Sequence, residues 1–196
     1  MLANPLARSH TKSRVLAAAA VAATLALSGC SSSSKNAAPS GSAATPTTTA
    51  DIPGVVTYTG LSRNHTTDTV NYPQSPPVGG DHNPVWQNCG VYDTPLINEH
   101  AVHALEHGAV WISYKPGLPA DQVKILDAFA LNQTHILVAP YTGLTDTVVL
   151  TAWGKQLRLE SVTDPRIAEF VTEYQEGPQT PELGVTCSGG FGNPIS

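Results

Sequence analysis

Residues 98 to 114 read NEHAVHALEHGAVWISY, and HALEH within them (His103, Glu106, His107) has the H-x-x-E-H spacing of inverted zinc peptidases. On a helix, His103 and His107 are four apart, so their rings share a face and can share one metal ion. His100 lies three residues before His103 and can join them. Upstream, His82 sits in GGDHNP, where two glycines permit close backbone approach, and His65 lies in a polar stretch, so five of the seven histidines fall between residues 65 and 107. Neutral imidazole is the commonest transition-metal ligand, and a site built from it survives where free thiols oxidise. The pattern points to one zinc or copper(II) ion held by His82, His103 and His107, with His65 as a fourth ligand and Glu106 orienting a ring from outside the ligand set.

Each residue also has a plainer role open to it. His107 precedes Gly108 at a helix C-terminus, where the helix dipole favours an imidazolium and the ring serves as a cap. His82, before Asn83 and Pro84, can simply close a turn, and His100 can be solvated. A metal-free envelope interaction module is therefore one alternative. A zinc hydrolase is another: Glu106 would be the general base on a zinc-bound water, and a third protein ligand would come from elsewhere. The acidic residues downstream, Glu169, Glu173 and Glu176, read as a solvated helix stripe rather than as that ligand. A thiol mechanism pairing Cys89 with a histidine is open in principle, but a disulfide would close it. The only methionine is Met1, which excludes methionine-rich copper(I) trafficking.

The elements that must position these groups follow from the apolar pattern. VVTYT (55–59) alternates as a strand does, and the following stretch through NYPQSPPVGGDHNPVWQNCGVYDTP is rich in Pro, Gly, Asn and Asp. So long a loop in one domain is usually functional. Asn98 can cap a short helix running to Leu105 or His107, ended by Gly108 in the left-handed conformation. AVWISY (109–114) reads as a buried strand, DQVKILDAFAL (121–131) as an amphipathic helix, and HILVAPY (135–141) as a strand. VVLTAWGKQLRLE (148–160) reads as a strand kinked at Gly154, and Asp164-Pro165 opens a last helix, PRIAEFVTEYQ. The fold class expected is α+β: a small mixed or antiparallel sheet with helices packed on it, preceded by a long Pro/Gly-rich loop.

The N-terminus reads as an address rather than as fold. Arg8, Lys12 and Arg14 precede the apolar run VLAAAAVAATLAL and then LSGC, an export signal over residues 1–29 whose ending resembles a bacterial lipobox. That implies cleavage before Cys30, a diacylglyceryl thioether on its sulfur, and a domain held at the extracytoplasmic face of the cell membrane by lipid. The run is shorter than the roughly 20 residues a spanning helix needs. Residues 30–53, SSSSKNAAPSGSAATPTTTADIP after the cysteine, lack apolar content and read as a disordered tether. Residues 54–196 remain for a single domain.

Removing the signal takes three basic residues, so the formal net charge moves from -5 to -8, with seven Lys plus Arg against fifteen Asp plus Glu. An acidic domain of this kind repels nucleic acid; its expected partner is the membrane, through the lipid, and no protein partner is legible. With Cys30 committed to lipid, Cys89 and Cys187 form an even pair outside the cytoplasm, most simply a disulfide.

Long strings of the chain, YPQSPPVGGDHNPVWQNCGVY, VHALEHGAVWISY, TAWGKQLRL, DPRIAEF and GPQTPELGVTC, resemble a bacterial lipoprotein family known as domain of unknown function 3105. The resemblance runs from about His65 to Cys187. It implies a single domain and groups His65, His82, His103 and His107, positions at which the family pattern also has histidine. At His100 the family tends to carry another residue, which argues against His100 as a ligand. The resemblance implies no activity.

Overall fold

The computed structural model describes residues 47–48 and 52–196; the export signal, Cys30 and most of the expected tether lie outside them. The sheet is built from runs that are buried on both faces. In β4 (Val110–Tyr114), β5 (Ile136–Pro140) and β6 (Val148–Ala152) every residue is buried. Alternation then divides them. Val110, Ile112, Ile136, Val138, Val148 and Leu150 pack in one apolar cluster, Trp111, Leu137 and Ala139 in another. Two cores on opposite faces of one sheet require a covering layer on each side.

Helices α2 (Ala120–Asp127) and α3 (Arg166–Tyr174) supply the first layer through Leu126, Ile167, Phe170 and Tyr174. Helix α1 (Asn98–Glu106) supplies the second through Ala101, Val102, Ala104 and Leu105, joined by Trp86 and Tyr92 from the long segment before it. The remaining strands are β1 (Thr47–Thr48), β2 (Val56–Thr57), β3 (Gly90–Val91) and β7 (Lys155–Leu159). The order across the sheet is β1-β2-β7-β6-β4-β5-β3. β5 is parallel to β4 and β3, and the other pairings are antiparallel. The sheet is therefore mixed, with three helices packed on it.

Four local expectations need correction. The stretch 148–160 is not one kinked strand: Ala152 pairs with Lys155, so Trp153-Gly154 is the two-residue turn of a hairpin. Asn98 does not cap α1. Ile97 takes the cap position without a side-chain hydrogen bond, and its carbonyl accepts from the Ala101 amide. The apolar pattern of 121–131 splits into α2 and a 3-10 turn, Ala128–Ala130. Finally, ordered chain reaches back into the segment read as tether: Thr47–Thr48 pairs with β2, and Ile52 is buried in the core.

Glycine ends α1 as its sequence demands. Gly108 has φ of +102°, and a Cβ there would lie 3.0 Å from the backbone of Glu176 and 3.2 Å from Thr180. The chain can therefore turn directly from α1 into β4 while residues 176–182 pass against it.

Candidate metal centre

Helix α1 carries His103, Glu106 and His107, and helical geometry sends them apart. At about 100° per residue, Glu106 lies about 60° to one side of His103 and His107 about 40° to the other. Each side meets a different segment. On the Glu106 side the long segment brings His65 and His82 together, bridged as short parallel strands through Thr66 N to His82 O (2.7 Å) and His82 N to Asn64 O (3.0 Å). On the His107 side lies Glu182, in the C-terminal segment that crosses the end of α1.

The buried rings of His82, His103 and His107 are held in one way. His82 Nδ1 donates to the Gly80 carbonyl at 2.7 Å, His103 Nδ1 to Asn83 at 2.6 Å, and His107 Nδ1 to Thr186 at 2.8 Å. A carbonyl can only accept, so in each neutral ring the proton is on Nδ1 and Nε2 carries the lone pair. This is how metal-binding imidazoles are oriented from behind. The turn that offers Gly80 needs its glycines: Gly79 has φ of +143°, and a Cβ there would meet Leu61 at 2.8 Å.

In front of these nitrogens lies Glu106. Its Oε2 is 2.9 Å from His82 Nε2 and 4.0 Å from His65 Nε2. His82 is fully buried and Glu106 nearly so, at 2 % exposure. The 2.9 Å approach is off the ring nitrogen's hydrogen-bonding direction, and His82 Nε2 has no hydrogen-bond partner among the described residues. A lone pair and a carboxylate oxygen so placed repel unless a proton or a metal cation lies against both. The His65 ring stacks on His103 at 4.9 Å, and the His82 and His103 rings are 4.8 Å apart. One donor atom from each of His65, His82, His103 and Glu106 lies within 4.8 Å of the others, a set of three imidazoles and one carboxylate that could chelate a metal ion.

Electrostatics favour the ligand forms of the imidazoles. Burial, reinforced by the neighbouring His107, His82 and His65, lowers the His103 pKa to about 4, so this ring is neutral at pH 7. Burial also lowers His107. Glu106 is pushed upward by burial, against the pull of His82. A buried carboxylate in that position gains most from a nearby cation.

Of the expected ligands, His65, His82 and His103 come together. His107 does not join them. Its Nε2 is 3.6 Å from Glu182 Oε2, and with His103 it forms a second group, His103, His107 and Glu182. Glu106, read from sequence as orienting a ligand, instead stands among the donor atoms. The first group differs from the arrangement a hydrolase would use, in which His103 and His107 share the ion with a third ligand and Glu106 stays free; the second group, with Glu182 as its third member, has that arrangement. His100 is in neither group: its Nδ1 donates to the Val85 carbonyl and its ring stacks on Phe191 at 4.3 Å. Cys89 and Cys187 are joined in a disulfide, with Cα atoms 5.4 Å apart, which leaves no free thiol among the described residues. Glu182 was not singled out in the sequence. The signal was present, because a bond from Cys187 to Cys89 carries the preceding residues toward the histidines.

Fold and site together define a three-layer α+β domain with a buried histidine-carboxylate cluster capable of chelating a metal ion. Residues 64–189 match the family described as "Protein of unknown function (DUF3105)", and the chain belongs to that family. None of the curated proteins and none of the solved structures compared with it matches the chain.

Proposed function

We propose that this is a lipid-anchored, extracytoplasmic metal-binding domain that holds one zinc or copper(II) ion through His82, His103 and Glu106, with His65 completing the set. The observation that carries this reading is the common orientation of the buried rings. Backbone carbonyls fix Nδ1 of His82 and His103, so their Nε2 lone pairs are presented beside a buried carboxylate whose contact partners are themselves imidazoles, His82 at 2.9 Å and His65 at 4.0 Å. Mixed nitrogen and oxygen donors suit zinc or copper(II) better than magnesium or calcium. The lipobox ending at Cys30 supports attachment to the membrane.

Elemental analysis and competition titration with zinc and copper test the reading. Wild type should take up one ion. His82→Ala and His103→Ala should each lose tight binding, and Glu106→Gln should weaken it by at least the roughly 10- to 100-fold seen when a supporting group is removed. A domain that stays metal-free after loading and dialysis would remove the metal reading. Metal-dependent hydrolysis lost in Glu106→Gln, with the ion retained, would instead establish the hydrolase.

A further inference from the structure

A groove of about 280 Å³, lined by Tyr58, Thr59, Leu61, Arg63, Trp153 and Pro181, adjoins the histidine-carboxylate cluster. Three of its walls are continuous with the cluster: Arg63 lies two residues before His65, Pro181 lies immediately before Glu182, and the Trp153 ring meets that of His82 edge-on at 5.9 Å. The cluster itself reaches solvent at His65, which is 46 % exposed. The groove is also fixed in shape. Gly154 accepts from the Tyr58 amide at 2.8 Å and donates to the Val78 carbonyl at 2.7 Å, and a Cβ there would lie 2.8 Å from the Tyr58 carbonyl oxygen. The turn is clamped between two segments, so the buried Trp153 is a rigid wall.

Arg63 is the charge this groove offers. Three arginines lie among the described residues, and two are matched: Arg158 to Asp146 and Arg166 to Asp164, each at 2.7 Å. Arg63 has no such partner at contact distance among the described residues, although the chain carries more acidic than basic groups. Glu106 feels its charge, along with His82, Glu182 and His65. An exposed, unmatched guanidinium presents paired N–H groups to a planar oxyanion. The apolar surfaces beside it, Trp153, Leu61 and Pro181, suit the body of an organic acid better than bare phosphate. Resting on the metal reading above, we propose that this groove binds a small organic carboxylate, its carboxylate on Arg63 and its body against Trp153 and Pro181, beside the ion held by the cluster. The ion contributes to the affinity. Without it, ionised Glu106 and Glu182 repel an incoming anion; with it, that charge is offset, so ion and acid each tighten the other by the same factor.

The test is calorimetric titration of the full domain with benzoate, loaded with zinc and dialysed free of it. Zinc-loaded wild type should bind one benzoate, and the zinc-free protein should bind it at least about fivefold more weakly, the lower end of typical coupling between two sites. Arg63→Gln, a change at an exposed side chain, should keep one zinc per domain while weakening benzoate by roughly tenfold or more, the cost of losing a hydrogen bond between charged groups. Arg63→Lys should fall between the two, because it keeps the charge and loses the planar fork. Lys124→Gln, on α2 against the opposite face of the sheet, is the control and should match wild type. Four results would overturn the carboxylate groove while leaving the metal reading standing: zinc uptake with no benzoate binding, benzoate affinity unchanged by zinc, affinity unchanged in Arg63→Gln, or inorganic phosphate bound as tightly as benzoate. A wild type that takes up no zinc would overturn both.

Discussion

At the scale of single residues, the centre depends on which nitrogen each histidine offers. Type and spacing in the sequence mark His65, His82, His103 and His107 as a group, but not the direction of their rings, which is set by carbonyls of Gly80, Asn83 and Thr186 in other parts of the chain. Hence the exchange of roles between Glu106 and His107: they are neighbours in sequence but about 100° apart on the helix, and only tertiary packing decides which one meets His82. Titration of His103 gives a prediction at this scale. Its folded pKa of about 4 lies below the ordinary 6.5, so between these values the unfolded chain binds a proton that the native state does not. The contribution is fully present above pH 6.5 and is lost as pH falls through about 4, and the metal-free domain should lose stability across that window. Glu106, with its pKa raised, acts in the opposite sense, since the folded state takes up its proton first. A comparison isolates His103. Urea unfolding in chelator should show a shallower pH dependence between 6.5 and 4 in His103→Gln than in wild type, and parallel profiles would mean that His103 titrates as an exposed histidine does.

At the scale of elements, apolar pattern located β4, β5 and α2, and the Asp164-Pro165 start signal located α3, because each of these buries side chains against a neighbour. It could not separate β6 from β7, since a two-residue turn at Trp153-Gly154 interrupts the apolar pattern for too short a span. It also gave no account of the long segment before α1, whose order comes from isolated bridges and side-chain contacts with no period. The end of α1 was legible because Gly108 is needed twice over, for its positive φ and for the close approach of Glu176. Gly108→Ala should therefore destabilise the domain by about 1 to 3 kcal/mol, the usual strain of a side chain held in a sparsely populated backbone region. Chemical denaturation checks this, and a change below about 0.5 kcal/mol, the ordinary scatter of surface substitutions, would show that the turn relaxes freely.

At the scale of the whole molecule, the disulfide and the histidine-carboxylate cluster fasten the same long segment at different points. The cluster joins His65 and His82 to α1, whereas the disulfide joins Cys89 to Cys187 across 98 residues of sequence. A closure of that length restricts the unfolded chain by about 4 to 5 kcal/mol on the chain-entropy model, an upper figure in practice. A metal held by the cluster would act by mass action on the folded state, contributing about 2.7 kcal/mol with free ion at 100 times its Kd. These mechanisms are independent wherever the disulfide does not orient a ligand. For the set of His65, His82, His103 and Glu106 it does not, because His82 and His103 lean on Gly80 and Asn83. For His107 it does, through Thr186. The double variant Cys89→Ser/Cys187→Ser should therefore be less stable than wild type by up to about 4 to 5 kcal/mol, yet gain as much on metal loading as wild type gains. Denaturation of both proteins with and without zinc measures these two quantities. A smaller gain on loading in the double variant would show that the disulfide shapes the ligands around Glu106 as well as His107.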